Sequence, residues 1–197
     1  DYALDRVRKQ IVDGSAGLAA SLPAETADFV RRAYLLAHDR RRSDGYSSVR
    51  DRSDVLGIGD VRDFYPASPL RPPFLQLLRA DADVGLALIS DLCNHATEGW
   101  RRSWRQHNET PIPITIDLGD GEAEFWGDDG TYRWFRGGSH VHILDTAFLA
   151  LDAWAHERLE TGDPLDELCQ RIARGNECNA VLGICAGLVL GYDALLR

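Results

Sequence analysis

The sequence predicts a mainly α-helical chain, an array of about seven helices that is HEAT-like or an irregular α-solenoid, with one inserted β-hairpin or meander. Apolar residues recur three and four apart through most of the 197 residues. Prolines and glycines fall mainly where helices start and stop. The period shortens to two only once, after Ile112.

Residues 2–22 carry Leu4, Val7, Ile11, Leu18 and Leu22 at roughly helical spacing, interrupted by Gly14 and Gly17. Pro23 opens a second helix, with Glu25 in its first turn and Phe29, Val30, Ala33, Leu36 and Ala37 as its inward stripe. That helix runs out in the positive stretch 38–42, where cations suit a helix C-terminus. Residues 43–73 are rich in Ser, Asp, Gly and Pro and read as a long surface connection holding one or two short helices. Pro72 and Pro73 open a short helix ending near Arg79, with Phe74, Leu77 and Leu78 inward. The next helix runs from Val84 to Gln106 along Leu88, Leu92, Ala96, Trp100 and Trp104.

Ile112, Ile114 and Ile116 then alternate with Pro and Thr, and Gly119-Asp120-Gly121 is a turn signal. With Phe125-Trp126 and Tyr132-Arg133-Trp134-Phe135 they predict two or three short strands within 111–136. This is an insertion between helices, too small to bury a core of its own. Ser139 is the expected N-cap of a helix reaching Thr161, with Leu144, Phe148, Leu151, Ala155 and Leu159 inward. Gly162 ends it, and Pro164 starts another that stops at Gly175.

The last helix, 177–196, is apolar on almost every side through Val181, Leu182, Ile184, Cys185, Leu188, Val189 and Leu190. Its apolar stretch, 180–192, is too short to span a bilayer. Gly183, Gly187 and Gly191 form a smooth ridge along which another helix can approach closely. A helix apolar all round must be covered on both sides. The expectation is therefore one helical module, 1–197, that belongs to a larger protein. Other domains of the same polypeptide, or a second copy, would cover the 177–196 helix.

Composition narrows the function. Hydrophobic residues at 44% and charged residues at 27% fit neither a disordered nor a membrane-embedded chain. A net charge of −9 argues against a non-specific nucleic-acid binder, which needs a basic field. The arginines do cluster, at Arg31, Arg32, Arg40, Arg41, Arg42, Arg50 and Arg52 and again at Arg101, Arg102 and Arg105. Lys9 is the single lysine among 22 lysines and arginines, a bias that suggests a GC-rich bacterial genome. Cys93, Cys169, Cys178 and Cys185 form no CxxC pair and sit among apolar neighbours, so they read as buried free thiols of a reducing compartment, the cytoplasm. No secretory leader pattern opens the chain.

Candidates for chemistry are few. His142, Asp145, Asp152 and His156 fall within about 80° of each other around a helix, where His and Asp could share a metal or a proton. The plainer reading is a solvated helix face with Asp152 and His156 as an i,i+4 pair. His140 lies close by. Asn94 and His95 could join a site, or could hydrogen-bond a neighbouring loop. Trp126 and Trp134, beside Arg133 and Arg136, could stack on a partner, or could pin the inserted segment to the helices beneath it. Gly57-Ile58-Gly59 and Gly119-Asp120-Gly121 lack the ending of a phosphate loop. No metal ligand set beyond the one helical stripe is evident, and no cofactor is expected.

Several segments resemble the helical regions downstream of the nucleotide-binding domain in very large bacterial NTPases of the STAND type and related defence-associated proteins. They are Tyr65-Pro66-Ala67-Ser68-Pro69-Leu70 with Pro73-Phe74-Leu75, then Leu92-Cys93-Asn94-His95-Ala96-Thr97, then Leu149-Ala150-Leu151-Asp152-Ala153-Trp154 with Gly175-Asn176 before the apolar last helix. Walker residues are absent from this chain, so the resemblance carries ATP hydrolysis to no position here. It implies a helical array that senses or scaffolds. The leading expectation is a non-catalytic scaffold or recognition module. The alternative is a small metal-dependent hydrolase or acid–base enzyme built on the His142 stripe.

Overall fold

The structure is a computed structural model that describes residues 2–36, 55–59, 61–105, 110–119, 121–137, 139 and 141–195. The basic stretch at Arg40, Arg41 and Arg42, with Arg50, Arg52, Asp120 and His140, lies outside the described residues. Among the described residues there are nine α-helices and a single two-stranded antiparallel sheet, so the fold is mainly α with an inserted hairpin.

Helix α1 (Tyr2–Asp13) and α2 (Ser15–Ser21) divide at Gly14, while Gly17 lies inside α2. Among the described side chains of these two helices, the apolar ones that reach the core are Val12 and Ala19, and Val7, Ile11, Leu18 and the following Leu22 are exposed. Pro23 does start α3 (Pro23–Tyr34), but this helix stops short of the positive run that the sequence suggested as its end. Leu35 turns extended and pairs with Ile58. The Leu36 N–H donates to the Gly57 carbonyl at 2.8 Å, and the Gly59 N–H donates to the Tyr34 carbonyl at 2.7 Å. The backbone groups released by the helix end are thus taken up by residues 57–59. A 3-10 turn, Val61–Phe64, buries Phe64 against Tyr34, whose hydroxyl donates to Asp63 at 2.8 Å.

Helix α4 (Phe74–Ala80) and α5 (Ala82–Arg105) follow, close to the predicted spans. Strands β1 (Ile114–Asp117) and β2 (Glu122–Phe125) pair with Ile114 opposite Phe125 and Asp117 opposite Glu122. The second half of the expected meander is helical instead. Residues 129–136 form a short helix α6 (Asp129–Tyr132) and a 3-10 turn, Arg133–Arg136. The cause is local: Asp128 accepts from the Thr131 N–H at 2.8 Å and the Thr131 hydroxyl oxygen accepts from the Asp128 N–H at 2.7 Å, a reciprocal cap that starts a helix.

Helix α7 (His142–Glu160) is the hub. Ile143, Leu144, Ala147, Phe148, Ala150, Leu151, Trp154 and Ala155 are all buried, more faces than the single stripe the sequence marked. They meet α4, α5, both 3-10 turns, α8 (Leu165–Ala173) and α9 (Ala180–Leu195). A solenoid repeat would touch only its neighbours, so this array is of the irregular kind. No helix among the described residues is long and apolar enough to cross a membrane.

Candidate functional site

Three places carry the side chains that the sequence singled out. The first is the N-terminal end of α7. Val141, not Ser139, occupies the N-cap position. Ser139 lies inside and serves Asp145 instead: its N–H donates to the Asp145 carboxylate at 3.0 Å and its hydroxyl donates at 2.6 Å. Asp145 is 2% exposed. His142 is partly exposed, with its Nδ1 3.9 Å from Asp145 and its ring 5.0 Å from that of Tyr65. Two turns further on, Asp152 and His156 are a surface pair 3.8 Å apart. The expected stripe therefore splits into a pair at the protein interior and a pair in solvent. Seven residues of helix separate the two aspartates by about 10 Å, which no single ion with bonds near 2 Å bridges. No group of three or more His, Cys, Asp or Glu among the described residues could hold a metal ion.

The second place is where α5 meets the segment before α9. Asn94 donates to the Gly175 carbonyl at 2.7 Å and accepts from the Glu177 N–H at 2.7 Å, so its amide clamps the 175–177 turn. His95 Nε2 lies 2.9 Å from the Leu36 carbonyl and 3.0 Å from that of Gly57, tying together the two segments that end α3. Both residues hold loops. Glu98, one turn on, faces Arg101, Arg102 and Arg105. Burial alone would raise its carboxyl, but the Arg102 hydrogen bond and the three guanidinium charges together hold it below the usual range.

The third place is the exit of the hairpin. Trp126 pairs with Cys178: its N–H donates to the Glu177 carbonyl at 2.6 Å, and its carbonyl accepts from Asn179 N–H at 3.0 Å. The Arg101 guanidinium lies 4.0 Å over the Trp126 ring and pairs with Glu177. Asn179 accepts from the Thr131 hydroxyl at 2.9 Å and donates to the Asp128 carbonyl at 3.2 Å. Trp134 is 2% exposed and belongs to the core, so its ring is not on offer to a partner. Arg133 is an exposed partner of Asp129, and Arg136 lies over the Phe135 ring. Sequence reasoning passed over Asp128, Thr131 and Asn179. The Asp-x-x-Thr spacing was a visible capping signal; Asn179, forty-eight residues from Thr131, gave none.

The glycine ridge of α9 is divided. A Cβ on Gly183 would stand 2.3 Å from the Phe135 ring, so that position is already filled by the 3-10 turn. Among the described residues, nothing lies within 4 Å of a Cβ placed on Gly187 or Gly191. Val181, Ile184 and Leu188 are buried on the covered side, whereas Val189 is 43% and Leu190 72% exposed beside the two open glycines. Compared with known protein families and curated sequences, the chain matches no family model and no curated protein.

Proposed function

We propose that this chain is a non-catalytic helical scaffold or recognition module of a larger bacterial multidomain protein. One observation carries the reading: the open strip of α9, where Leu190 and Val189 stand exposed along Gly187 and Gly191. The polar side chains that the sequence offered for chemistry support it, since Asp145, Asn94 and His95 are each engaged in holding a turn, as is Asn179. The resemblance to the helical regions of STAND-type NTPases points the same way. In this reading α9 is covered by another helical part of the same polypeptide or by a second copy.

Sedimentation over a concentration series tests it. The chain should associate as concentration rises, and Leu190→Asp, an exposed position, should restore a monomer without loss of helicity. If the chain stays monomeric throughout and Leu190→Asp changes neither its association nor its stability beside longer versions of the polypeptide, the strip has no occupant and the reading fails.

The hydrolase alternative has the two His–Asp pairs of α7 in its favour. Its test is metal analysis of protein purified without chelator. Near-stoichiometric zinc or manganese, lost on combined His142→Ala and Asp145→Ala substitution, would replace the scaffold reading.

A further inference from the structure

The four cysteines fall into two pairs of different character. Cys93 on α5 and Cys178 before α9 are fully buried, and burial pushes both thiols up, Cys178 to about 11. The thiolate is the reactive form, so neither is a nucleophile near neutral pH. Cys169 on α8 and Cys185 on α9 are only partly buried. The Cys185 thiol donates to the Cys169 backbone carbonyl, its Sγ 3.7 Å from that oxygen, which seats Cys185 against the Cys169 turn of α8. The neighbouring Cys185 thiol, as a hydrogen-bond donor, holds Cys169 below its ordinary value despite its partial burial, and Cys169 together with burial drives Cys185 up. One member is thus suited to act as the nucleophile while the other retains its proton.

We propose that Cys169 and Cys185 form a redox-modification site, in which a peroxide converts the facing thiols to an intramolecular disulfide that clamps α8 to α9. The Cys169 thiolate attacks one peroxide oxygen: an S–O bond forms, the O–O bond breaks, and hydrogen peroxide leaves a sulfenic acid and, after protonation, one water. Once Cys169 is a neutral sulfenic acid, the thiolate that held the Cys185 proton is gone. The Cys185 sulfur then attacks the Cys169 sulfur, the S–S bond forms and the S–O bond breaks. The departing hydroxide takes the Cys185 proton as a second water. Two thiols have given up two electrons and two protons, and the peroxide is reduced to two waters.

The consequence lies in what the new bond encloses. Between Cys169 and Cys185 runs the 174–179 turn, held by Asn94 from α5 and by Trp126 from the hairpin. A disulfide would close the chain around that turn and fix α9 against α8 directly, next to Ala186 and Val189 on the open side. Position of α9 would then depend on the oxidation state of the site.

The test treats the intact chain with a small excess of hydrogen peroxide, alkylates the remaining thiols, and maps tryptic peptides without reductant. The expected product links peptide 159–171 to peptide 175–197 at two hydrogens below their summed mass, with tandem fragmentation placing the bond on Cys185 rather than Cys178. Cys93 and Cys178 should accept the alkylating reagent only after denaturation, and native Cys169 should react at least about tenfold faster than either. The oxidised chain should melt higher, by roughly 5–10 °C for a loop this short, and reductant should reverse the shift. Cys185→Ser should abolish both the link and the shift, leaving Cys169 to overoxidise. A link through Cys178, a disulfide between two chains, or wild-type Cys169 accumulating as sulfinic acid with Cys185 free would each overturn the proposal.

Discussion

The two kinds of glycine on α9 make opposite predictions for one substitution. Alanine in a helix interior is favoured over glycine by about 0.8–1.0 kcal/mol. At Gly187 and Gly191 an added methyl meets nothing within 4 Å among the described residues, so each Gly→Ala change should stabilise the chain by nearly that amount. At Gly183 the same methyl would stand 2.3 and 2.4 Å from two ring carbons of Phe135 and 3.0 Å from a third. The ring is further hemmed in by Tyr132, edge-on at 5.2 Å, and by Arg136. Overpacking of this kind costs about 1–3 kcal/mol, which cancels or outweighs the helix gain, so Gly183→Ala should destabilise by up to about 2 kcal/mol. Urea denaturation with unchanged m reads all three. In the double variant Gly183→Ala with Phe135→Ala the penalty should vanish, since the clash has no second party. Should Gly183→Ala stabilise as much as Gly187→Ala, Phe135 is not seated on α9 and the division of the ridge is wrong.

Three further changes follow from the same structure. Trp134→Ala should cost about 3–5 kcal/mol, while Trp126→Ala, half-buried under Arg101, should cost about 1–2, again by urea denaturation. Asp145→Ala strands the buried Ser139 N–H and should cost about 3 kcal/mol, whereas Asp152→Ala on the solvent side should stay within about 0.5, and equal effects would refute the split of the α7 stripe. The Arg79 hydrogen bonds hold the Glu157 carboxyl below its ordinary 4.5, so the stability they add is present above that pH and fades as the pH falls through the lower folded value. Both side chains are well exposed, so Glu157→Gln should remove less than about 1 kcal/mol at pH 7 and flatten the acid side of the stability curve.

Helix positions were readable wherever the local signals and the packing agreed. Pro23, Gly162, Pro164 and Gly175 mark real ends because their backbone restrictions act whatever surrounds them. The end of α3 was not readable, because it is set by residues 57–59 taking over the Tyr34 and Leu36 backbone groups, a partner more than twenty residues away. The 129–136 segment was misread for the opposite reason. Its aromatic alternation imitates a strand, but Asp128 and Thr131 cap a helix within four residues, and a complete local cap overrides a weak period-two pattern.

The candidate residues show the same divide more sharply. A helical wheel places His142, Asp145, Asp152 and His156 on one side of α7, yet it says nothing about what covers that side at each level. Ser139 and Tyr65 close over the first turn and leave the third open, so residues of one stripe have different fates. For α9 the count of apolar sides was visible, whereas the coverage came from Phe135, which belongs to a segment read as strand. Among the residues whose side chains are described, Ala186, Gly187, Val189, Leu190 and Gly191 are the exposed positions of this stretch, within about one and a half turns of helix. A single crossing helix could approach closely over the two glycines and bury Leu190, whereas a broader face would also cover Val189 on the far side of the exposed arc. The variant Gly187→Leu therefore separates the two geometries. It should leave the fold intact and abolish association if a helix crosses there, and should strengthen association through added apolar area if the contact is broad.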